Sequence, residues 1–147
     1  DGCTVSDCTK DGLRVRDKAS PTVTNCTFRD SDVGASCEGS GSPSFSNCTF
    51  RGNDYGASFG GTGAPRVRSC TFRDNHGLGV GVGATGYTSS GQTGLLADNT
   101  ATGNGGGLYT DSTLSVTNTR ILSNTASSVG GGAAAVGTRR LRYHSGR

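Results

Sequence analysis

The sequence predicts an all-β solenoid in which short parallel strands stack in successive rungs, and three observations predict it. A Cys-Thr-Phe-Arg segment begins at Cys26, Cys48 and Cys70, so it recurs every 22 residues. Only 31% of the 147 residues are hydrophobic and 26 are glycine, so short units must stack to share one core. Period-2 stretches separated by Gly, Asn, Asp, Ser and Pro are typical of strands joined by turns.

Each repeat unit contains three predicted strands. The first is led by a glycine, as in 34–37, the second is an alternating tripeptide, as in 44–46, and the third is the Thr-Phe-Arg segment. Toward the end of the chain, Asn-Thr-Ala recurs after 25 residues, which predicts longer rungs of the same kind. We therefore expect about six rungs of 22–25 residues over 1–137, the first rung incomplete, followed by a basic, disordered tail over 138–147.

The repeat units resemble the right-handed parallel β-helix family, whose members include pectin-lyase-like proteins. The resemblance depends on the Asn-Cys-Thr-Phe-Arg-Asp units, and on the later Gly-Gly-Gly-Leu-Tyr, Leu-Ser-Val-Thr-Asn and Leu-Ser-Asn-Thr-Ala segments. The later segments are similar to repeats of bacterial surface and autotransporter passenger proteins. Together they cover the chain from Cys3 to about Val136. The resemblance implies a right-handed coil, and its functions range from polysaccharide lyases and glycoside hydrolases to adhesins.

Strand alternation predicts which side chains form the shared core. The residues expected inside are Leu13, Val15, Val23, Cys26, Phe28, Ala35, Cys37, Phe45, Cys48, Phe50, Ala57, Phe59, Val67, Cys70, Phe72, Val80 and Val82. Among them, the repeated cysteines and phenylalanines form two ladders. The cysteines are interpreted as small buried hydrophobes, because a linear stack does not converge on a metal as a tetrahedral site requires. Disulfides between rungs, or between Cys8 and Cys37, remain open at this point.

The outer face of the first strands is the face that carries the active site in the resembling lyases. Here it presents Arg14, Arg16, Ser36, Glu38, Ser58, Gly60 and Gly81. Glycoside hydrolysis normally uses two carboxyl groups flanking the bond, and only Glu38 is expected on this face. The sequence therefore favours a non-catalytic module, with Arg14, Arg16 and Glu38 as candidate glycan contacts. The alternative is a fragment of a polysaccharide lyase or glycoside hydrolase.

The outer face of the third strands predicts a second set of glycan contacts. Arg29, Arg51 and Arg73 form a column there, beside a column of threonines. Stacked arginines repel one another unless acids or a ligand compensate them, and guanidinium groups bind carboxylate and phosphate groups in bidentate fashion. A merely solvated face is the alternative. An ice-binding surface is disfavoured because the neighbouring strand face changes from threonine to serine to arginine between units.

The turn after the third strand carries most of the acids. They are Asp30, Asp32, Asp54 and Asp74, and their side chains are expected to hydrogen-bond the turn backbone, with a calcium site as the alternative. No cofactor is otherwise expected. Asn25 and Asn47 match the glycosylation sequon, but their place at a tight corner favours a turn role. His76 is expected to be exposed.

Charge and hydropathy restrict the partners. A net charge of +3 with acids between the basic residues, and no aromatic placed to stack on bases, disfavours nucleic acid. No apolar run approaches the roughly 18 residues of a membrane span. The chain starts at Asp1 without methionine or a targeting signal, so we expect an excerpt or a processed product of a secreted or cell-surface protein. Its expected partners are polysaccharide and a neighbouring chain, or a second copy, at the open ends of the β-helix.

Overall fold

The chain folds as a parallel β-solenoid, as predicted. The computed structural model describes residues 1–82, 88–90, 94–101, 105–110, 114–117, 119–135 and 141–144. These residues form three parallel sheets of six strands and one strand pair, with no helix.

The three large sheets correspond to the three predicted strands of each unit. The first sheet contains β2 (Asp11–Val15), β5 (Val33–Cys37), β8 (Tyr55–Phe59), β11 (Val80–Val82), β15 (Leu108–Thr110) and β19 (Ala133–Ala135). The second contains β3 (Thr22–Thr24), β6 (Ser44–Ser46), β9 (Arg66–Arg68), β12 (Thr88–Ser90), β16 (Leu114–Thr117) and β20 (Leu141–His144). The third contains β1 (Thr4–Ser6), β4 (Thr27–Arg29), β7 (Thr49–Arg51), β10 (Thr71–Arg73), β13 (Gly94–Ala97) and β17 (Thr119–Leu122).

Each strand pairs with its equivalent one rung away. In the third sheet Phe28 is aligned with Phe50, and Phe50 with Phe72, so the 22-residue repeat is the pairing register. The same holds in the second sheet, where Phe45 is aligned with Val67. Residues that occupy equivalent positions in successive units are therefore neighbours in space, about 4.8 Å apart.

Two features of the later rungs differ from the expectation. A fourth, two-stranded sheet is formed by β14 (Thr100–Ala101) and β18 (Thr125–Ala126). These strands belong to the Asn-Thr-Ala segments, from which the sequence predicts only the rung length. The structure also departs from the expected disordered tail, because β20 adds to the second sheet with Leu141 aligned to Leu114 and Tyr143 to Val116. Without β20, the edge of β16 would expose unpaired backbone groups, and β20 supplies hydrogen-bond partners for them. Residues 138–140 and 145–147 lie outside the described residues.

The core confirms the predicted inward positions. Most of them are buried, while Leu13 and Val23 are partly buried and pack against the others. The side chain of Val82 lies outside the described residues. The phenylalanine ladder is a true ring stack: Phe28 and Phe50 have centroids 4.9 Å apart, and Phe50 and Phe72 4.5 Å, with interplanar angles of 9° and 2°. Phe45 of the second sheet meets Phe50 edge-on at 5.8 Å.

A ladder of buried asparagines supports the turn after the third strand, and the sequence reasoning missed it. Asn53, Asn75 and Asn99 are almost fully buried, and Asn124 continues the column. Nδ2 of Asn53, Asn75 and Asn99 each donates to the Oδ1 of the next asparagine and to a carbonyl of the preceding rung. Nδ2 of Asn124 donates to the Leu96 carbonyl. The ladder satisfies backbone groups that the turn leaves without sheet partners.

A column of glycines packs against this ladder. It consists of Gly12, Gly34, Gly56, Gly79, Gly107 and Gly132. A Cβ at position 56 would overlap the Gly79 carbonyl oxygen and lie 3.0 Å from both Nδ2 of Asn75 and Cδ1 of Phe72. The absence of side chains here lets the first sheet approach the asparagine and phenylalanine ladders closely.

We expect Gly56→Ala to destabilise the fold by about 1–3 kcal/mol, because the added methyl group would overpack a site bounded by backbone. Gly60→Ala is the matched control, since a Cβ there would meet only the Cys37 carbonyl oxygen at 3.7 Å. The control is expected to change the free energy of unfolding by no more than about 0.5 kcal/mol. Urea denaturation of both variants measures the difference, and equal midpoints would show that the glycine column has no steric role.

The corners of the coil are set by residues with left-handed backbone. Between the second and third sheets these are Asn25, Asn47 and Ser69, with φ of 55°, 54° and 50°. The two asparagines of the sequons therefore occupy the turn role expected for them, since asparagine tolerates this conformation.

Candidate functional site

The outer face of the third sheet carries the predicted arginine column. Arg29 is aligned with Arg51 and Arg51 with Arg73, and the threonines Thr27, Thr49 and Thr71 form the parallel column. The column is bounded by Ser6 on one side and Ala97 on the other. Three guanidinium groups thus project from adjacent rungs, spread over roughly 10 Å along the axis.

Two of the three arginines are neutralised by the residue that follows them. Arg29 forms an ion pair with Asp30, and Nη1 of Arg73 lies 3.2 Å from Oδ2 of Asp74. Arg51 is followed by Gly52, and no described carboxylate pairs with it. The arginine column therefore has an uncompensated charge at its middle rung.

The backbone conformation explains why glycine can stand at position 52, where the neighbouring rungs have aspartate. Asp30, Gly52 and Asp74 all have positive φ, at 53°, 63° and 54°. Aspartate and glycine are both accepted in this region, because the short acid can bond locally and glycine has no Cβ. Glycine at position 52 thus preserves the turn while removing a carboxylate.

Two further arginines lie on the next rung, around the corner from Arg51. Arg66 and Arg68 flank buried Val67 on β9 and are exposed, and no described carboxylate pairs with either. They are aligned with Ser44 and Ser46 of the preceding rung. The backbone N–H of the corner residue Asn47 donates to the Arg68 carbonyl at 3.1 Å, which fixes the stacking at this corner. The change from serine to arginine is visible in the sequence, where it argues against a regular ice-binding face but does not by itself indicate a binding site.

The outer face of the first sheet brings Arg14 and Glu38 together. Nη2 of Arg14 donates to both carboxylate oxygens of Glu38, each at 3.0 Å. Nε of Arg14 also lies 3.5 Å from Oδ2 of Asp11, an acid that sequence reasoning did not place at this site. The hydrogen bond to Glu38 raises the pKa of the Arg14 guanidinium. Both acids thus contact one guanidinium group instead of facing each other across an open cleft.

Arg16 lies beside this pair. Together with Asp17, Glu38 and Gly39 it lines a shallow depression of about 360 Å³. Ser36 is aligned with Arg14 and Ser58 and is buried, and its Oγ has no hydrogen-bond partner in the described part of the chain. The six predicted contact residues therefore form two separate groups, one on the first sheet and one on the third.

All six cysteines are free thiols, and Cys26, Cys37, Cys48 and Cys70 are buried, whereas Cys3 is exposed and Cys8 is partly buried. The hydrogen bond from the Cys70 thiol lowers the pKa of Cys48, and the same bond, together with burial, raises the pKa of Cys70. Cys26, Cys48 and Cys70 are each less than a tenth exposed, in agreement with their predicted role in the core.

The remaining predicted turn residues lie at the surface. His76 is exposed, with Nδ1 3.9 Å from Oδ1 of Asp54. Within the described residues, no group of three His, Cys, Asp or Glu side chains could hold a metal ion. In the same part of the chain, no helix has the length and hydropathy needed to cross a membrane.

Comparison with known proteins agrees with this architecture. The sequence model of the family described as "Right handed beta helix region" matches residues 1–141. No curated protein and no solved structure matches the chain significantly.

Proposed function

The chain belongs to the right-handed β-helix family, and from this premise we propose that it is a non-catalytic extracellular or cell-surface module with a structural and adhesive role, which binds acidic glycans. The observation that carries the proposal is the in-register column of Arg29, Arg51 and Arg73, whose middle member has no carboxylate partner among the described residues. A guanidinium group without an internal partner is available for carboxylate, sulfate or phosphate groups of a ligand.

The scaffold supports an adhesive role because it holds these groups in fixed positions. The phenylalanine stack and the asparagine ladder tie each rung to the next, so the rows of outward side chains keep their spacing. A repeated surface on a rigid frame suits a polymer, since each repeat of the ligand can meet an equivalent rung.

The contacts on the first sheet support a non-catalytic role more than an enzymatic one. Arg14 holds Glu38 through two hydrogen bonds and also contacts Asp11, so these acids are engaged by a cation within the chain. A lyase or hydrolase would need groups free to transfer protons to and from the glycan. The enzymatic alternative places those groups on rungs beyond this sequence.

Retention on immobilised polysaccharides tests the proposal. The purified chain is passed over polygalacturonate, dextran sulfate and neutral dextran, and retained protein and newly formed chain ends are measured together. We expect retention on an anionic polymer, no new chain ends, and loss of retention in the triple variant Arg29→Ser, Arg51→Ser, Arg73→Ser. The control Lys10→Ser, Lys18→Ser, which removes two exposed positive charges elsewhere, is expected to bind almost as wild type.

Other outcomes of this experiment would replace the proposal. New chain ends that disappear in Glu38→Ala or Arg14→Ala would favour the enzyme. Absence of retention on every polymer would favour a purely structural role for the β-helix. Sedimentation of the same samples would then show whether the end strands bind a second copy of the chain.

A further inference from the structure

Several described cations have no ion pair, among them Lys10, Arg16, Lys18 and Arg120, and three unpaired arginines lie around one corner of the coil. Arg51 on the third sheet and Arg66 and Arg68 on the second sheet have no ion pair with any described acid. We name these three residues the arginine corner. By contrast, Arg14, Arg29 and Arg73 each contact an acid of the chain.

The three residues belong to one continuous surface. The third sheet follows the second directly in each rung, through a corner such as Ser69 and Cys70 between β9 and β10. Arg68 is the last residue before that corner, and its carbonyl accepts the hydrogen bond from Asn47, which begins the corner leading to β7 and Arg51. Arginines therefore lie on both sides of the same edge of the solenoid, on adjacent rungs.

Charge balance distinguishes this corner from the rest of the face. Arg29, Arg51, Arg66, Arg68 and Arg73 carry five positive charges, while their ion-pair partners Asp30 and Asp74 carry two negative charges. The excess of positive charge among these five arginines therefore comes from the three residues of the arginine corner. Arg66 and Arg68 are two residues apart on one strand, or about 7 Å. That is within the Debye length of about 8 Å at physiological ionic strength, so each raises the other's attraction for an anion.

We propose that the arginine corner is the main contact for the acidic glycan, and that the glycan lies around the edge between the second and third sheets instead of along the whole arginine column. This inference rests on the proposed function. Arg51 is aligned with Arg73 of the next rung, which lies seven residues after Arg66, and seven residues correspond to roughly 20 Å of extended backbone. The anionic groups of a polymer therefore fit the corner better than one small anion.

The chemistry of the corner favours a polysaccharide over a nucleic acid. The phenylalanines of this region point into the core, and the exposed aromatic Tyr55 lies on β8 of the first sheet. No described aromatic side chain therefore stands beside the three arginines as a platform for bases, which single-stranded binding sites use. Exposed Thr22 and partly exposed Ser44 and Ser46 of the preceding rungs offer hydroxyl groups for sugar hydroxyls.

Two triple variants with equal loss of charge test the assignment. The corner variant is Arg51→Ser, Arg66→Ser, Arg68→Ser. Its matched control is Lys10→Ser, Lys18→Ser, Arg120→Ser, which removes three exposed positive charges outside the proposed contact. A further variant, Arg29→Ser, Arg73→Ser, removes the two arginines of the column that already contact acids. The Kd of each protein is measured by titration with size-fractionated dextran sulfate and with polygalacturonate, at two salt concentrations, after circular dichroism has shown that all variants fold.

We expect the Kd of the corner variant to rise about tenfold or more, and that of the control less than about threefold. The salt dependence of log Kd should flatten in the corner variant only. Binding of the sulfated but not the carboxylated polymer, or the reverse, identifies which anion the corner binds. Either result supports the inference when the corner variant alone loses affinity for that polymer.

Three outcomes would overturn the inference. A loss of affinity in Arg29→Ser, Arg73→Ser as large as in the corner variant would return the contact to the whole column, with the proposed function intact. Wild-type protein that binds neither polymer would remove the proposed function itself. Single-stranded DNA that displaces the polymer at equal charge concentration, and loses affinity in the corner variant, would assign the corner to nucleic acid.

Discussion

Replacement of Phe50 by alanine is expected to lower the free energy of unfolding by about 3–5 kcal/mol, a large share of the stability of an ordinary domain. The Phe50 ring is fully buried between Phe28 and Phe72 and also meets Phe45 edge-on. Its removal would leave a cavity that both stacked neighbours border, and a coil tied rung to rung cannot close such a gap by moving one side chain. The measurement is urea denaturation followed by circular dichroism.

Two further variants make this result interpretable. Phe50→Leu preserves most of the buried apolar volume and is expected to cost less than half as much as the alanine change. Tyr55→Ala removes an exposed aromatic ring from the neighbouring strand β8 and is expected to change stability by no more than about 0.5 kcal/mol. A cost of less than about 1 kcal/mol for Phe50→Ala would show that the stack is not a principal source of stability.

Asn75→Ala is expected to be the second most damaging change, with a loss of about 3 kcal/mol or more. Nδ2 of Asn75 donates to the Phe50 carbonyl at 3.2 Å and to Oδ1 of Asn99 at 2.7 Å. Its Oδ1 accepts from the backbone N–H of Asn53 at 3.1 Å and from Nδ2 of Asn53 at 3.2 Å. Alanine would leave several buried polar groups unpaired, and each such group costs about 1–3 kcal/mol.

Hydrogen exchange identifies the cause of this loss. The Asn53 amide should exchange faster in Asn75→Ala, because its acceptor is removed, while amides of the second sheet should keep their protection at low denaturant. His76→Ala changes the adjacent, exposed residue and serves as the control. If both substitutions lowered stability equally, the effect would belong to the turn and not to the amide ladder.

The phenylalanine and cysteine ladders could be predicted because the repeat has a constant length where they occur. A spacing of 22 residues converts directly into an in-register neighbour, so Phe28, Phe50 and Phe72 had to stack once the strands were parallel. Alternation then decided which side chains faced inward, because successive strand residues point to opposite faces.

The asparagine ladder escaped prediction for two physical reasons. Polar residues in a turn are usually solvated, and burial of Asn53 and Asn75 becomes favourable only once each amide has partners on both neighbouring rungs. The column also changes residue type, since Ser31 occupies its place in an earlier rung and Cys8 donates its N–H to that serine. No single residue type therefore marks the position along the chain.

The candidate site was predicted only in part. The arginine column follows from the repeat, but its pairing depends on side-chain contacts between a residue and the next, such as Arg73 with Asp74. Asp11 and Arg14 are three residues apart on β2, a spacing that places side chains on opposite faces of a regular strand, so alternation does not predict their contact. Arg66 and Arg68 were visible in the sequence, but their relation to Arg51 required the geometry of the corner.

The pairing of equivalent strands also determines how the chain responds to mechanical load. The strands run across the solenoid axis and their hydrogen bonds run along it, so tension applied along the axis pulls on the bonds between two rungs while the rest of the coil stays closed. A rung that opens releases its 22 residues, or roughly 75 Å of extended chain, before the next interface bears the force. Such a coil lengthens in steps and absorbs work at each step.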